Sequence, residues 1–356
     1  MSSAKSNVAG SSTPTVTLIV AAYNEAGCIE EKIMNSLSLE YPTNKLAFIF
    51  VTDGSTDETP IIISRYPQIQ LLHGPERMGK IMSVHRAMKE VKTEAVVFTD
   101  ANTFLNSDAL ILLCRHYADE KTGAVAGEKK IDIRGVTNAT AGEGLYWKYE
   151  SKLKKWESEL NVVIGAAGEL FSIRAALYEP IAPDTILDDF MISISIAMKG
   201  YGIRYEPAAV ATEKVSVTIE EELKRKLRIA AGAVQSFLRL GKLLFLYTQP
   251  LLSFQYVSHR VLRWLITPYL LVLVFLLNGL LMFDYPIPHY LTWLFFVQLC
   301  WYTLAGMGLI MEKSRIKAGL FFIPYYFCLM NYAMIAGMIR YVTRGQTVLW
   351  EKAKRN

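Results

Sequence analysis

Two uninterrupted apolar stretches, Val261 to Phe283 and Tyr290 to Met311, limit what this 356-residue chain can fold into more than any other feature. Each is about 22 residues long, and Arg263 is the only charge in either. About 20 apolar residues in helical form cross the hydrocarbon core of a bilayer, so both are predicted to span. Ala318 to Ile339 is a third candidate, interrupted by Pro324 and Asn331. Leu243 to Val257 is shorter, contains Pro250 and Gln255, and is expected to lie in the interface. The chain as a whole is 52% apolar, but the excess sits in these segments.

The layout that follows is a disordered leader over 1–14, a soluble α/β domain over 15–240, an interfacial segment over 241–260, membrane helices over 261–341 and a basic tail over 342–356. The leader is rich in Ser and Ala and has no apolar run, so it does not read as a signal peptide. The net charge is +5, and the positive residues gather beside the apolar segments. Lys224, Arg225, Lys226 and Arg228 precede them, and Arg340, Arg344, Lys352, Lys354 and Arg355 follow. Basic flanks of this kind mark cytoplasmic, lipid-facing edges, so membrane lipid rather than nucleic acid is the expected partner. The four cysteines, Cys28, Cys114, Cys300 and Cys328, form no CxxC pair and suggest no disulfide framework. These features imply a multi-pass protein of the plasma or inner membrane with its soluble domain in the cytoplasm.

Within that domain, short β-branched runs alternate with helical stretches. Thr15 to Ala21, Leu46 to Val51, Ile69 to Leu72 and Ala95 to Thr99 read as strands. Helices are expected from Tyr23-Asn24-Glu25 to about Leu37, from Gly79 to Val91, from about Leu145 to Leu160, from Ile186 to about Met198 and from Thr218 to Leu240. Ala124 to Ala126, Leu170 to Ile173 and Ile203 to Tyr205 read as further strands. The helix near 145–160 carries Tyr146, Tyr149, Leu153 and Trp156 on one face. Such alternation implies a doubly wound, mostly parallel sheet, whose ligands bind at the carboxyl ends of the strands. Those ends carry Tyr23, Glu25, Asp53 and Asp100.

Asp53, in TDGSTDE, can accept hydrogen bonds from a nucleobase or ribose. Asp100, in TDAN, can hold a divalent cation that neutralises a diphosphate leaving group. Either can instead be a turn or helix cap. Asp188-Asp189 opens a helix; one member can serve as general base, or the pair can simply cap it. Gly165 to Gly168 and Glu169 form a flexible loop and an acid suited to a saccharide, or an ordinary turn. Arg77 and Lys80 can meet donor phosphates, or be solvated charge. Arg225 and Arg228 share a helix face and can clamp a diphosphate, or form a basic face beside the membrane.

The ordered set AAYNE, TDGSTDE, ERMGK, TDAN, GAAGE, ILDDF and RKLRI resembles an inverting family-two glycosyltransferase of GT-A fold. The resemblance is to the membrane-bound kind related to cellulose, chitin, hyaluronan and poly-N-acetylglucosamine synthases. It implies a GT-A mixed sheet followed by transmembrane helices, a nucleotide-sugar donor and a saccharide or lipid acceptor. It also implies roles for matching positions. Tyr23, Glu25 and Asp53 would bind the nucleoside, with Lys80, Asp100, Arg225 and Arg228 completing the donor site. Asp100 and Asn102 would hold Mg²⁺ or Mn²⁺, Asp189 would be the catalytic base, and Gly168, Glu169 and Asp188 would face the acceptor. Asn102 replaces the second Asp of the family's DxD motif. Arg225 and Ile229 replace the Gln and Trp of QxxRW, whose Trp stacks under the growing polymer, so a short product is expected. A nucleotidyltransferase would want a Gly-rich phosphate loop, which VAAYNEAG lacks. A non-catalytic membrane scaffold would have no use for the combination of Asp53, Asp100, Asp189 and Arg228.

Overall fold

The computed structural model describes residues 13–132, 138–160, 162–214, 219–282, 289–314 and 319–343. Residues 1–12 of the leader, Arg315 and Lys317, the loop after the first span and the tail cations from Arg344 onward lie outside these residues. Two compact units emerge: Met1–Lys129 with Ser158–Ile181 and Ile192–Thr212, and Lys130–Glu157 with Ala182–Met191 and Glu213–Asn356.

The first unit is built on an eight-stranded sheet. Its strands are β1 (Val16–Ala22), β2 (Leu46–Asp53), β3 (Gln70–Gly74), β4 (Ala95–Asp100), β5 (Thr103–Leu105), β6 (Thr122–Asp132), β7 (Leu170–Arg174) and β8 (Gly202–Lys214), in the order β3-β2-β1-β4-β7-β6-β8-β5. β3, β2, β1 and β4 run parallel, and β7 is antiparallel to both β4 and β6. The sheet is therefore mixed, as the resemblance implies. Val16 to Val20 are all almost fully buried, which explains why β1 is a continuous apolar run: both faces of a central parallel strand are covered. Each such Val, Leu or Ile contributes roughly 1.5–3 kcal/mol by burial.

The helices of this unit are α1 (Ile29–Leu37), α2 (Thr59–Ser64), α3 (Lys80–Glu90) and α4 (Ala109–Cys114). α1 starts later than its sequence suggests. Asn24 has a φ of 53°, and the backbone N–H groups of Asn24, Glu25 and Ala26 are donated to Ser55, Thr59 and Asp57. The 23–28 segment is thus tied to the loop after β2 and cannot enter the helix. β5 and α4 have no counterpart in the sequence reading.

In the second unit lie α5 (Asn138–Glu159), which passes at Ser158 into the first, α6 (Asp188–Met198), whose opening residues belong here, and α7 (Ile219–Arg239). α5 runs through Gly142 and Gly144, where a break was expected. Each glycine costs only about 1 kcal/mol against Ala in a helix, and later turns of α5 are pinned. Glu150 accepts from Arg263 (2.8 Å) and lies 3.2 Å from Arg260, while Glu157 lies 2.5 Å from His259 Nδ1. Burial alone would raise the Glu150 carboxyl, but Arg260, the His259 hydrogen bond and Arg263 outweigh it and hold it well below the usual carboxylate range.

Among the described residues, three helical segments are long and apolar enough to cross a membrane: Pro250–Leu281, His289–Lys313 and Phe322–Val342. The first joins α8 (Pro250–Gln255), a π-helical stretch (Tyr256–Ile266) and α9 (Thr267–Leu281). The expected interfacial segment thus runs, from Pro250, straight into the first span. The change from π to α winding falls at Pro268, which has no N–H to give to the residue four before it. The other two are α10 (His289–Lys313) and α11 (Phe322–Val342). α11 is unbroken, contrary to the expected interruption. Pro324 sits in its first turn, where N–H groups have no helical partner anyway, and the Asn331 amide bonds back to the Phe327 carbonyl without stopping the helix.

α11 also runs in an unexpected direction. Asn278 to Gln298 and Tyr302 to the Leu271 carbonyl set α9 and α10 antiparallel, which puts Tyr269 level with about residue 305 of α10. Tyr269 donates to Met338 Sδ, while Tyr325 packs against Gly308. Residues 325 and 338 are about 20 Å apart along a helix, yet both sit at the same end of the α9–α10 pair. α11 therefore crosses that end and packs on α7. Gly337 lies where a Cβ would come 2.3 Å from that of Ala230.

Candidate functional site

The parallel registers Ala22↔Thr52 and Ala21↔Asp100 align the carboxyl ends of β1, β2 and β4. The antiparallel register Thr99↔Leu170, continued by one residue, brings Glu169 opposite Asp100. One sheet edge thus gathers Tyr23, Glu25, Asp53, Asp100, Asn102 and Glu169, with Lys80 reaching in from α3. Gly168 precedes Glu169 on the same loop.

Asp53 is 1% exposed, and both its carboxylate oxygens accept backbone N–H groups, from Met78 at 3.0 Å and Gly79 at 2.7 Å. It therefore holds the ERMGK loop and the start of α3. Gly54 makes the same loop possible: its φ is +64°, and a Cβ there would lie 2.6 Å from the Arg77 nitrogen. The loop in turn carries the Arg77 guanidinium over the Tyr23 ring, 3.8 Å from its centroid. Asn24 binds Thr56 through its side-chain oxygen (2.8 Å), closing the two loops together. In the turn after β2, Asp57 accepts the N–H of Thr59, the first residue of α2, at 3.0 Å. Glu25 is buried at the foot of this arrangement and accepts from the Cys28 thiol.

Two lysine–carboxylate pairs follow along the edge. Lys80 Nζ lies 2.6 Å from Asp100 Oδ1, and Lys129 Nζ lies 2.5 Å from Glu169 Oε1. Lys129 was not singled out in the sequence; its position at the end of a strand otherwise buried from Thr122 to Gly127 is the signal that would have found it. Beneath the TDAN turn lies another missed residue, Lys32. It is fully buried on the apolar face of α1, beside Ile29 and Ile33, and donates to Thr99 Oγ1 (3.1 Å) and the Thr103 carbonyl (2.6 Å). Burial pushes its ammonium down to about 7, against the pull of Asp100. Thr103 Oγ1 bonds the Asp100 carbonyl, so this lysine underpins the turn that carries Asp100 and Asn102.

Among the described residues, no three His, Cys, Asp or Glu side chains gather as a metal cage. Asp100 and Asn102 offer oxygen donors in one part-exposed turn. That set suits Mg²⁺ or Mn²⁺, which bind through one or two carboxylates and take the remaining positions from substrate phosphates and water.

In the second unit, Asp188 and Asp189 open α6, and Asp189 Oδ1 accepts the Phe190 N–H. The segment leading to them is gripped by α7. Gln235 accepts from the Ile186 N–H (2.9 Å) and donates to the Asp184 carbonyl (2.7 Å). Arg228 bonds the Ile186 carbonyl at 3.4 Å, Arg239 bonds Thr185, and Gly232 lies so close that a Cβ would come 2.6 Å from Leu187. On the other side, Phe190 stacks with Tyr256 and meets Trp264 edge-on, both from the π-helical stretch. Arg225 pairs with Glu222 at 2.9 Å. Arg225 and Arg228 thus contact protein groups here, one an acid and the other a carbonyl.

The family profile described as glycosyl transferase family 2 matches residues 17–179, which include every residue of the sheet-edge cluster and none of Asp188, Asp189, Arg225 and Arg228. A poly-β-1,6-N-acetyl-D-glucosamine synthase of Staphylococcus aureus is 26% identical over 231 residues, covering 63% of this chain and 56% of that protein. The chain thus aligns with little more than half the length of that relative. The Staphylococcus epidermidis protein of the same name is 25% identical over 335 residues, covering 87% of this chain and 79% of that one. Among solved structures, a mannosyltransferase from Pyrobaculum calidifontis in complex with GDP-Man and Mn²⁺ shares the fold. It superposes with a TM-score of 0.70 at 24% identity, over 94% of this chain and 89% of that one.

Proposed function

We propose, from the match of residues 17–179 to the glycosyl transferase family 2 profile, that the chain transfers a sugar, with inversion, from a nucleotide-sugar donor to a saccharide or lipid-linked acceptor. The observation that carries this reading is the gathering of Tyr23, Asp53, Lys80, Asp100 and Glu169 at one sheet edge inside the matched stretch. Tyr23 and its Arg77 partner offer a flat cationic platform to the nucleoside. Glu25 and Asp53 act beneath it by fixing the loops around it. Lys80, in the first turn of α3, faces the diphosphate. Asp100, with Asn102, would hold a divalent cation, which offsets the negative charge that builds on the departing diphosphate.

In the transfer step, an acceptor oxygen attacks the anomeric carbon opposite the diphosphate. The carbon–oxygen bond to the phosphate breaks, and its electron pair leaves with the nucleoside diphosphate. Asp189 takes the acceptor proton, while Asp188, Gly168 and Glu169 face the acceptor. Arg225 and Arg228 would reach the diphosphate by exchanging Glu222 and the Ile186 carbonyl for it.

The relatives named for poly-β-1,6-N-acetyl-D-glucosamine synthesis favour polysaccharide synthesis; a UDP-sugar is the donor we expect, and the neighbour solved with GDP-Man makes guanosine donors the competing class. The test is release of nucleoside diphosphate by the purified full chain in lipid, from a panel of UDP- and GDP-sugars, with Mg²⁺, Mn²⁺ or chelator. Metal-dependent release from one donor class is expected. No release from any donor would overturn the proposal.

The chain is a membrane protein, and we read its soluble domain as lying on the cytoplasmic side of the cell membrane, where nucleotide sugars are found. Two spans, centred on α9 and on α10, then cross and return. The direction of α11, with both ends at one end of that pair, supports a third helix that lies at the cytoplasmic surface.

A further inference from the structure

The sequence gives α5 a row of aromatic residues that no catalytic role uses. In the structure Tyr149 and Trp156, two helical turns apart, are each more than half exposed. Beside them on the same helix face, Lys148, Lys152 and Lys155 form a second exposed row. At 100° per residue, the three lysines occupy one sector of about 60° and the two aromatic residues the next. The opposite face is buried, through Glu150, Lys154 and Glu157.

That buried face fixes where the exposed one lies. Glu150 and Glu157 bind His259, Arg260 and Arg263 of the π-helical stretch, and the Arg263 guanidinium sits 5.7 Å from the Tyr149 ring centroid. Arg263 precedes α9, which begins at Thr267, by four residues. Tyr149 is therefore held beside Arg263, at the foot of α9, where the membrane reading sets the edge of the hydrocarbon. A helix with adjacent aromatic and lysine rows at that level matches an anionic bilayer surface: rings seat at the headgroup boundary, and ammonium groups meet phosphates.

We propose that α5 is a membrane-docking helix of the catalytic region, seated on anionic phospholipid through Tyr149, Trp156 and the Lys148–Lys152–Lys155 row. The proposal rests on the membrane reading above. Its occupant is a lipid surface, because the face is continuous with the root of a span and its charge complements anionic headgroups.

The test uses the full chain with its four cysteines replaced, reconstituted in bilayers of phosphatidylcholine alone or with phosphatidylglycerol. A nitroxide is attached at Trp156→Cys, at Glu120→Cys as an exposed control and at Val297→Cys on α10. Accessibility to oxygen and to a polar nickel chelate reads depth. The label at 156 is expected to favour oxygen over nickel in the anionic bilayer, more weakly in the neutral one, and to lose that preference in the K148E/K152E/K155E background. A label at 156 as accessible to nickel as that at 120 would overturn the proposal. So would equal depth in both bilayers, or spin–spin broadening at 156, which would mean that a second copy covers the face. If the label at 297 also reads water, it is the membrane reading that fails.

Discussion

Asp189 and Asp100 separate the two halves of the proposed chemistry. Asp189→Asn keeps the shape of the α6 start and removes the base, so kcat is expected to fall by about 10²–10⁴-fold with the donor KM little changed. Steady-state kinetics with donor and acceptor varied separately check this, and near-normal turnover removes Asp189 from the mechanism. Asp100→Ala is expected to act on the other term, raising the donor KM and the metal concentration for half-maximal activity. Lys32 carries a prediction about stability. Its folded pKa, about 7, lies below the ordinary value of 10.5, so between those values the unfolded chain binds the extra proton. Stability rises with pH across that window by up to about 1.4 kcal/mol per unit, is highest above it and is lost as pH falls to 7. Lys32→Met lacks this slope, so its unfolding midpoint should gain on the parent's as pH falls from 9 to 7. Equal shifts in both proteins would show that the buried ammonium does not titrate there. The sequence displayed Asp100 and Asp53 because a carboxylate ends an apolar run. It hid Lys32, because a lysine is read as solvated until the helix face it occupies is known.

Among the elements, the strands were the most legible, since buried parallel strands are continuous apolar runs. Three-residue β5 offers too few positions for any periodicity. The early part of α5 was hidden by two glycines whose cost its pinned later turns outweigh. α7 was visible as a basic helix, but its use was not. Sequence showed Arg225 and Arg228 as an anion clamp, whereas in the structure the helix grips residues 184–187 through Gln235, Arg228, Arg239 and the bare backbone at Gly232. Gln235→Ala leaves the Ile186 N–H and the Asp184 carbonyl without this partner, at a cost of about 1–3 kcal/mol. It is expected to lower kcat through the placement of Asp189 while leaving donor affinity, read by nucleotide titration, unchanged. A fall in donor affinity as large as the fall in kcat would assign α7 to the donor site instead.

For the molecule as a whole, the deciding observation is the course of α11. An unbroken apolar helix read from sequence alone should cross, and would carry the basic tail outside against the positive-inside tendency. On the membrane reading, a helix laid across the ends of α9 and α10 would return the chain at residue 343 to the side of the soluble domain without any break. A single cysteine near residue 354, in a chain without its native cysteines, is expected to resist a membrane-impermeant reagent in intact cells and to react once the membrane is opened. Labelling in intact cells would make α11 a third span. Product length belongs to this scale too: Ile229 stands where polymerising relatives of this fold would have a stacking Trp, so short saccharides are expected from the purified chain, and high-molecular-weight polymer would contradict that. The contact of Gly337 with α7 has a further consequence. Ala230, Ala231 and Ala333, all buried, line the same crossing, and small residues there let the two backbones come close. The apolar third of the chain is therefore not an interchangeable anchor. A chimera that swaps in another protein's membrane helices, or a version truncated after residue 240, would strip the outer support from the helix that grips residues 184–187. Such hybrids are expected to keep the sheet-edge cluster and lose turnover, so a working exchange of anchors has to carry α7 with it.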